Sequence, residues 1–214
     1  MRGKTVLVLF GLTLCTLAYS VFAHETEGGC VAPGELVWHF ASRAYINPQN
    51  GTGVFAGYFS DLQGINGPMF DGAPSEATAH FTFLSDLIQF QNLAPDGGLN
   101  LTLLNTGTFS LYFNANTSGT WNDPASFSQG QLIAVYRRTP VQLISTGPVV
   151  SSVFSAQLVS SSDFTFAGRR YNLARLWPKG IADFGTGSTS QLTGSNDFPL
   201  ALAVAGSAVA TDRP

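Results

Sequence analysis

Apolar and polar residues alternate at every second position through much of this chain, and no segment sustains a helical period with caps at its ends. That pattern demands antiparallel β-structure, because only a pleated strand sends successive side chains to opposite faces. The clearest stretch is residues 76–83, where Ala77, Ala79, Phe81 and Phe83 share one face and Glu76, Thr78, His80 and Thr82 the other. Leu36, Trp38 and Phe40 alternate with Val37, His39 and Ala41, and Asn47-Pro48-Gln49-Asn50-Gly51 then reads as a turn into residues 54–59, a first hairpin. Residues 99–104, the turn Asn105-Thr106-Gly107 and residues 109–113 read as a second hairpin. Its Phe109, Leu111 and Phe113 point inward, and Ser110, Tyr112 and Asn114 outward.

Gln131–Arg138, residues 153–159, Phe164–Phe166 and residues 171–177 supply further strands, the last two flanking a tight reversal at Ala167-Gly168-Arg169. Residues 200–204 alternate large and small apolar side chains, as interior positions of a small barrel do. Residues 60–75 and the Gly/Ser/Thr-rich stretch between Trp177 and Phe198 read as long loops. Gly185-Thr186-Gly187-Ser188 within the latter precedes no helix, so it forms no phosphate cradle. The expected fold is all-β: a single antiparallel β-barrel or β-sandwich of roughly 8–10 short strands over residues 35–210.

Residues 1–23 carry a different signal. Arg2 and Lys4 precede an almost unbroken apolar run from Thr5 to Leu17, and Val21-Phe22-Ala23 places small residues where a signal peptidase reads. A cleaved signal peptide is expected, with export to a secreted or periplasmic location. Residues 24–34 form a polar, glycine-rich tail and residues 211–214 a short C-terminal one. Cleavage would leave Cys30 as the sole cysteine, so no internal disulfide is expected. No later apolar run is long enough for a transmembrane helix; the longest, residues 198–210, is interrupted by Gly206 and Ser207 and reads as a last core strand.

Composition narrows the partners. The chain has 10 basic against 13 acidic residues, and its nearest approach to a basic patch is Arg137-Arg138 and Arg169-Arg170. A nucleic-acid surface needs far more concentrated positive charge, so none is expected. No Gly-x-Ser-x-Gly elbow occurs, no cofactor motif is present, and Asp61 and Asp71 are the only loop acids worth weighing as a carboxylate pair. A metal centre is not expected either. Processing would make His24 an N-terminal histidine able to chelate copper with His39 or His80, but a glycine-rich tail is a poor platform for it. Asn50, Asn100 and Asn116 begin glycosylation acceptor triplets, which matter only in a eukaryotic source.

Four residues are candidates for ligand contact: His80 in its polar stripe, Arg137, Trp121 in the loop Trp121-Asn122-Asp123-Pro124, and outward-facing Tyr112. Trp121 would either stack on a ligand or fold back as a plug on the barrel end. The succession of short strands resembles small secreted barrels such as lipocalins and allene oxide cyclase-like proteins, in strand pattern rather than in any motif. With 12 % aromatic residues and no catalytic constellation, the leading expectation is an exported, non-catalytic module binding a small apolar molecule or a glycan. The alternative is a small-barrel enzyme, a cyclase or isomerase, with His80, Glu76 or Arg137 projecting into an enclosed pocket. A third reading, an outer-membrane β-barrel, calls for longer strands and an apolar outer band.

Overall fold

Residues expected to pair as the first hairpin do so, and over a greater length than the alternation marked. β1 (Leu36–Asn47) pairs with β2 (Thr52–Leu62) through a turn in which Asn47 Oδ1 accepts from the Gln49 N–H, Asn50 Oδ1 accepts from the Thr52 N–H, and Gly51 sits at φ 67°. This is a computed structural model; it describes residues 31–93, 97–177 and 179–212, and the expected signal peptide, His24 and Cys30 lie outside them.

Along the chain follow β3 (Phe81–Ser85), β4 (Ile88–Asn92), β5 (Asn100–Leu104), β6 (Gly107–Phe113), a 3-10 turn at Pro124–Ser128, β7 (Gln131–Arg138), β8 (Val141–Thr146) and β9 (Val149–Ser161). Then come the small ribbon β10 (Phe164–Phe166) and β11 (Arg169–Tyr171), the single-turn α1 (Leu173–Leu176), β12 (Gly180–Thr193) and β13 (Leu200–Thr211). Eight strands close into an antiparallel ring in the order β1-β2-β3-β6-β7-β9-β12-β13 and back to β1, which decides for the barrel over the sandwich. Closure leaves this ring with no free edge.

β4, β5 and β8 are not a separate layer. β4 prolongs β3, β5 leads into β6, and β8 prolongs β7, each across a gap of two residues: Asp86-Leu87, Asn105-Thr106 and Thr139-Pro140. One register runs through the first two breaks, since Ser85 faces Phe109 on one side and Phe90 faces Leu104 on the other. The side-chain alternation inverts there. Phe81 and Phe83 are buried in β3, whereas Ile88 is the buried residue of β4; Phe109 and Leu111 are buried in β6, and Leu104 in β5. Three neighbouring strands thus make the same bulge-like slip at one level, dividing the barrel into two storeys.

This break corrects the second hairpin expected from the sequence. Asn105-Thr106-Gly107 does not reverse the chain; β5 pairs with β4 and β8, and β6 with β3 and β7. A turn-like composition here serves a bulge instead. The Gly/Ser/Thr-rich stretch expected as a loop is also corrected: it is β12, paired with β9 and β13 along its length. Its small residues suit a crowded wall, for a Cβ at Gly187 would approach the Ala203 carbonyl oxygen to 2.5 Å. Residues 171–177 do not form a strand, because Asn172 caps α1 by accepting from the Ala174 N–H at 3.1 Å. The strands are longer than expected, since both storeys belong to one ring.

The upper storey is filled with aromatic rings. Trp38 lies at the centre, with ring centroids of Phe59, Trp177, Tyr136 and Phe109 at 5.3, 5.5, 5.7 and 6.3 Å. The connection carrying β10, β11 and α1 seals this end, burying Phe164, Leu173 and Trp177, and Trp177 Nε1 donates to the Gln63 carbonyl at 2.7 Å. Residues 31–34, expected as loose tail, join the seal: Val31 is buried and its N–H donates to the Leu176 carbonyl, while the Gly34 N–H donates to that of Ala210. Outside the ring, the 3-10 turn is packed onto the wall, so that Tyr45, Ala56, Phe127 and Ala201 form a second buried cluster.

Wall curvature makes some glycines obligatory. A Cβ at Gly57 would collide with the Ala41 carbonyl and come within 2.6 Å of Ser42 Cα on β1. Gly57→Ala should therefore cost about 1–3 kcal/mol by forcing β1 and β2 apart. Denaturant titration checks it; an unchanged midpoint would contradict this reading of the wall.

Candidate functional site

Below the Trp38 cluster the packing loosens. A cavity of about 60 Å³ lies at the level of the strand breaks, walled by Trp38, Phe40, Phe55, Phe59, Phe83, Phe109, Phe154, Val141 and Val204, with Ser42, Ser85, Ser152, Arg138 and Asp183 as its polar members. Every strand of the ring contributes to it. A second cavity of about 40 Å³ shares Phe55, Ser152 and Val204 with the first and continues between Ile46, Phe90, Leu143 and Leu202. Gly185 and Gly187 face it, so β12 sends no side chain into that space. On a scale where a water needs roughly 10–15 Å³, the two together hold a molecule of a few heavy atoms.

The polar groups on this wall differ in how far they are satisfied. Ser42 Oγ donates to the Val204 carbonyl at 3.3 Å, and Ser85 Oγ donates to the Asp86 carbonyl at 2.8 Å while accepting from the Phe55 N–H. Arg138 is 4 % exposed. Its Nη2 meets Asp86 Oδ1 at 3.3 Å, its Nη1 donates to the Asn105 carbonyl, and its Nε has no partner. Burial lowers the Arg138 pKa, opposed by the Asp86 carboxylate. Asp86 in turn accepts from the Thr108 N–H at 2.8 Å, so this pair ties the breaks of three strands together.

Of the two ionisable groups on the wall, Asp183 is the less satisfied. It projects from β12, 5 % exposed, and receives one long hydrogen bond, from Trp38 Nε1 to its Oδ2 at 3.4 Å. Its Oδ1 has no partner among the described residues, and no cation pairs with it. Burial pushes its pKa up to about 7, with the Trp38 N–H pulling weakly the other way. Arg138 and Asp183 flank the same strand: on β9, Ala156 is level with Arg138 and Phe154 with Asp183.

None of the four sequence candidates lines either cavity. Arg137 is exposed on the outside of β7; the alternation that buries Ala134 and Tyr136 carries Arg138 inward instead. Tyr112 is half-buried on the outward side of β6. His80 is not on a strand, because the polar stripe breaks down: β3 starts at Phe81, and Glu76 and Thr78 belong to the loop before it. The His80 ring stands 5.5 Å from Phe166, and its Nδ1–H donates to the Asn114 carbonyl at 2.9 Å. Thr82, expected on a solvated face, is buried beneath the 3-10 turn and donates to the Phe127 carbonyl at 2.6 Å. The enclosed pocket that Glu76, His80 and Arg137 were to share is lined by none of them.

Trp121 folds back, though onto the outer wall rather than the barrel end. Its ring packs 5.0 Å from Phe127 and 5.8 Å from Tyr58, with the Arg43 guanidinium 4.9 Å over its face, and its carbonyl accepts from Tyr45 Oη at 2.8 Å. Beside it runs an open groove of about 300 Å³ between Asn122, Asp123, Pro124 and residues 195–198. Asp123 is already engaged there, Oδ1 capping the 3-10 turn at the Ala125 N–H. Among the described residues no group of three or more His, Cys, Asp or Glu is placed to hold a metal ion.

Comparison with protein-family models, with curated proteins and with solved structures finds no match.

The interior polar groups were hidden from sequence reading for a physical reason. Around Asp183 the alternation is reversed in polarity: Asp183 points inward and Phe184, half exposed, points outward. One signal was present. Gly185 and Gly187, spaced by two, mark a strand face stripped of side chains, which is what a void inside a barrel requires. Within Arg137-Arg138, the inward residue is the one that shares the face of Tyr136, which is Arg138. Arg137→Ala should change stability by less than about 0.5 kcal/mol, as an exposed side chain without partners does, whereas Arg138→Ala should be markedly destabilising. Thermal unfolding of the two variants separates them.

Proposed function

We propose that this protein is an exported binding module that takes up a small, largely apolar molecule inside its barrel. The observation that carries the proposal is the cavity at mid-barrel, walled by seven aromatic rings yet holding a buried carboxyl group that the protein leaves short of partners. Small-ligand sites combine an apolar lining with a few fixed polar groups in this way. Export rests on the pattern of residues 1–23. A glycan is less well served, since Trp121, the ring best suited to stack on a sugar, is occupied by Arg43, Tyr58 and Phe127. A membrane-spanning barrel is less well served: most rings fill the interior, and on the outer face of β9 Ser151, Ser155 and Gln157 interrupt Val149, Val153 and Val159, so that face is no continuous apolar band.

Ser152 supplies the test, because it lines both cavities and its hydroxyl makes no hydrogen bond. Ser152→Leu should fill the space, abolish binding of small apolar probes in ligand-detected NMR, and leave the melting temperature equal or higher. Undiminished probe binding by that variant would reject the interior as the site. An enzymatic reading keeps one supporting observation, the unpaired Asp183, which would replace His80, Glu76 and Arg137 as its acid or base.

A further inference from the structure

Asp183 bears on what the ligand is. A buried carboxyl with one weak donor can be completed by a cation, by a second donor, or by keeping its proton and finding an acceptor. The surroundings discriminate among these. Arg138 faces the same cavity, so an incoming ammonium would meet a like charge. An incoming carboxylate would have to compete for a guanidinium already held by Asp86 and the Asn105 carbonyl, and no other cation lines the cavity to balance it. Trp38 Nε1–H occupies Oδ2, which leaves Oδ1 as the oxygen that carries a proton toward free space.

We infer that protonated Asp183 is the hydrogen-bond donor of this cavity, and that its ligand is a small neutral carbonyl compound: a ketone, aldehyde or ester with a short aliphatic body. The carbonyl oxygen accepts from Asp183 Oδ1–H. The aliphatic part lies in the lower cavity against Ile46, Phe90, Leu143 and Leu202, where Gly185 and Gly187 leave room. A carboxylic acid kept neutral by an apolar site is an effective donor to a carbonyl. This inference rests on the interior-binding reading above and adds the ligand's chemistry to it. The charged group facing the cavity from a neighbouring strand is Arg138 of β7, balanced by Asp86; Tyr136, packed against Trp38 and Phe109 above it, has its hydroxyl held far above neutrality by burial. Asp183 is accordingly the group that changes state near neutral pH.

The test compares 2-hexanone, its methylene isostere 2-methyl-1-hexene, hexylamine and hexanoate in ligand-detected NMR titrations of the folded protein at pH 5.5 and 8.5. The ketone should bind at least tenfold more tightly than the alkene at pH 5.5, and that advantage should fall at least tenfold by pH 8.5. Asp183→Asn, which keeps an N–H donor, should retain ketone binding while losing its pH dependence. Asp183→Leu should bind ketone and alkene alike. Equal binding of ketone and alkene by the wild type would overturn the inference while leaving the interior site intact. Tighter binding of hexylamine or hexanoate would overturn it in favour of a charged ligand. If none of the four binds, the interior-binding reading fails with it.

Discussion

Between pH 4 and pH 7 the barrel is expected to lose about 4 kcal/mol of stability through Asp183 alone. In the unfolded chain this carboxyl ionises near its ordinary 3.8; in the barrel it does so only at about 7. Below pH 4 both states hold the proton and the group contributes no difference. Through the interval the unfolded chain has shed a proton that the folded one keeps, so each pH unit favours unfolding by about 1.4 kcal/mol. Above pH 7 both forms are ionised and the loss is complete. Asp183→Asn should flatten this slope and be the more stable protein at pH 8, because it retains an acceptor for Trp38 Nε1–H without a charge to desolvate. Asp163 pulls in the opposite sense, its pKa lowered by hydrogen bonds from Asn172 and Arg170, but it does so equally in both proteins. Urea denaturation of wild type and variant across pH 4.5 to 8 isolates the difference, and parallel curves would refute the assignment.

Trp38→Ala is expected to cost about 3–5 kcal/mol, the range for removing a buried large aromatic side chain. Trp38 is 1 % exposed, touches four other aromatic rings at its centre of the upper storey, and supplies the one donor to Asp183. Its removal should enlarge the cavity beneath and strip Asp183 of that donor. Trp121→Ala should cost distinctly less, because that ring is only half-buried on the outer wall. Chemical unfolding of the two variants orders them; equal losses would mean that the outer cluster matters as much as the barrel interior.

The all-β class and most strands were legible because alternation is a direct image of the pleat. Gln131–Arg138 is reproduced as read, and the expected reversal is present one residue shorter, at Ala167-Gly168, with Arg169 already paired to Phe166. What escaped were places where alternation and environment part company. Residues 76–80 alternate without pairing as a strand, β12 pairs as a strand whose inward face runs from Ile181 to Asp183, Gly185 and Gly187, and Thr82 is polar on an outer face that the 3-10 turn covers. Each depends on a partner distant in sequence. The site escaped for the same reason: Arg138 and Asp183 are 45 positions apart and line one cavity only because both flank β9.

The three aligned breaks behave like a shift of reading frame in a message. Above them one set of alternate residues is written to the inside; below them the complementary set is. Deleting Thr106 would put Leu104 two positions before Gly107, on the inward face of one unbroken alternation, and slide β5 by one residue past neighbours that stay unshifted. The cluster of Ile88, Leu104 and Val141 behind Phe90 and Leu143 would then be disturbed, and with it the lower cavity, while the upper aromatic seal keeps its contacts. The lower storey can therefore vary with the aromatic seal kept, changing what the lower cavity encloses while the seal holds the fold.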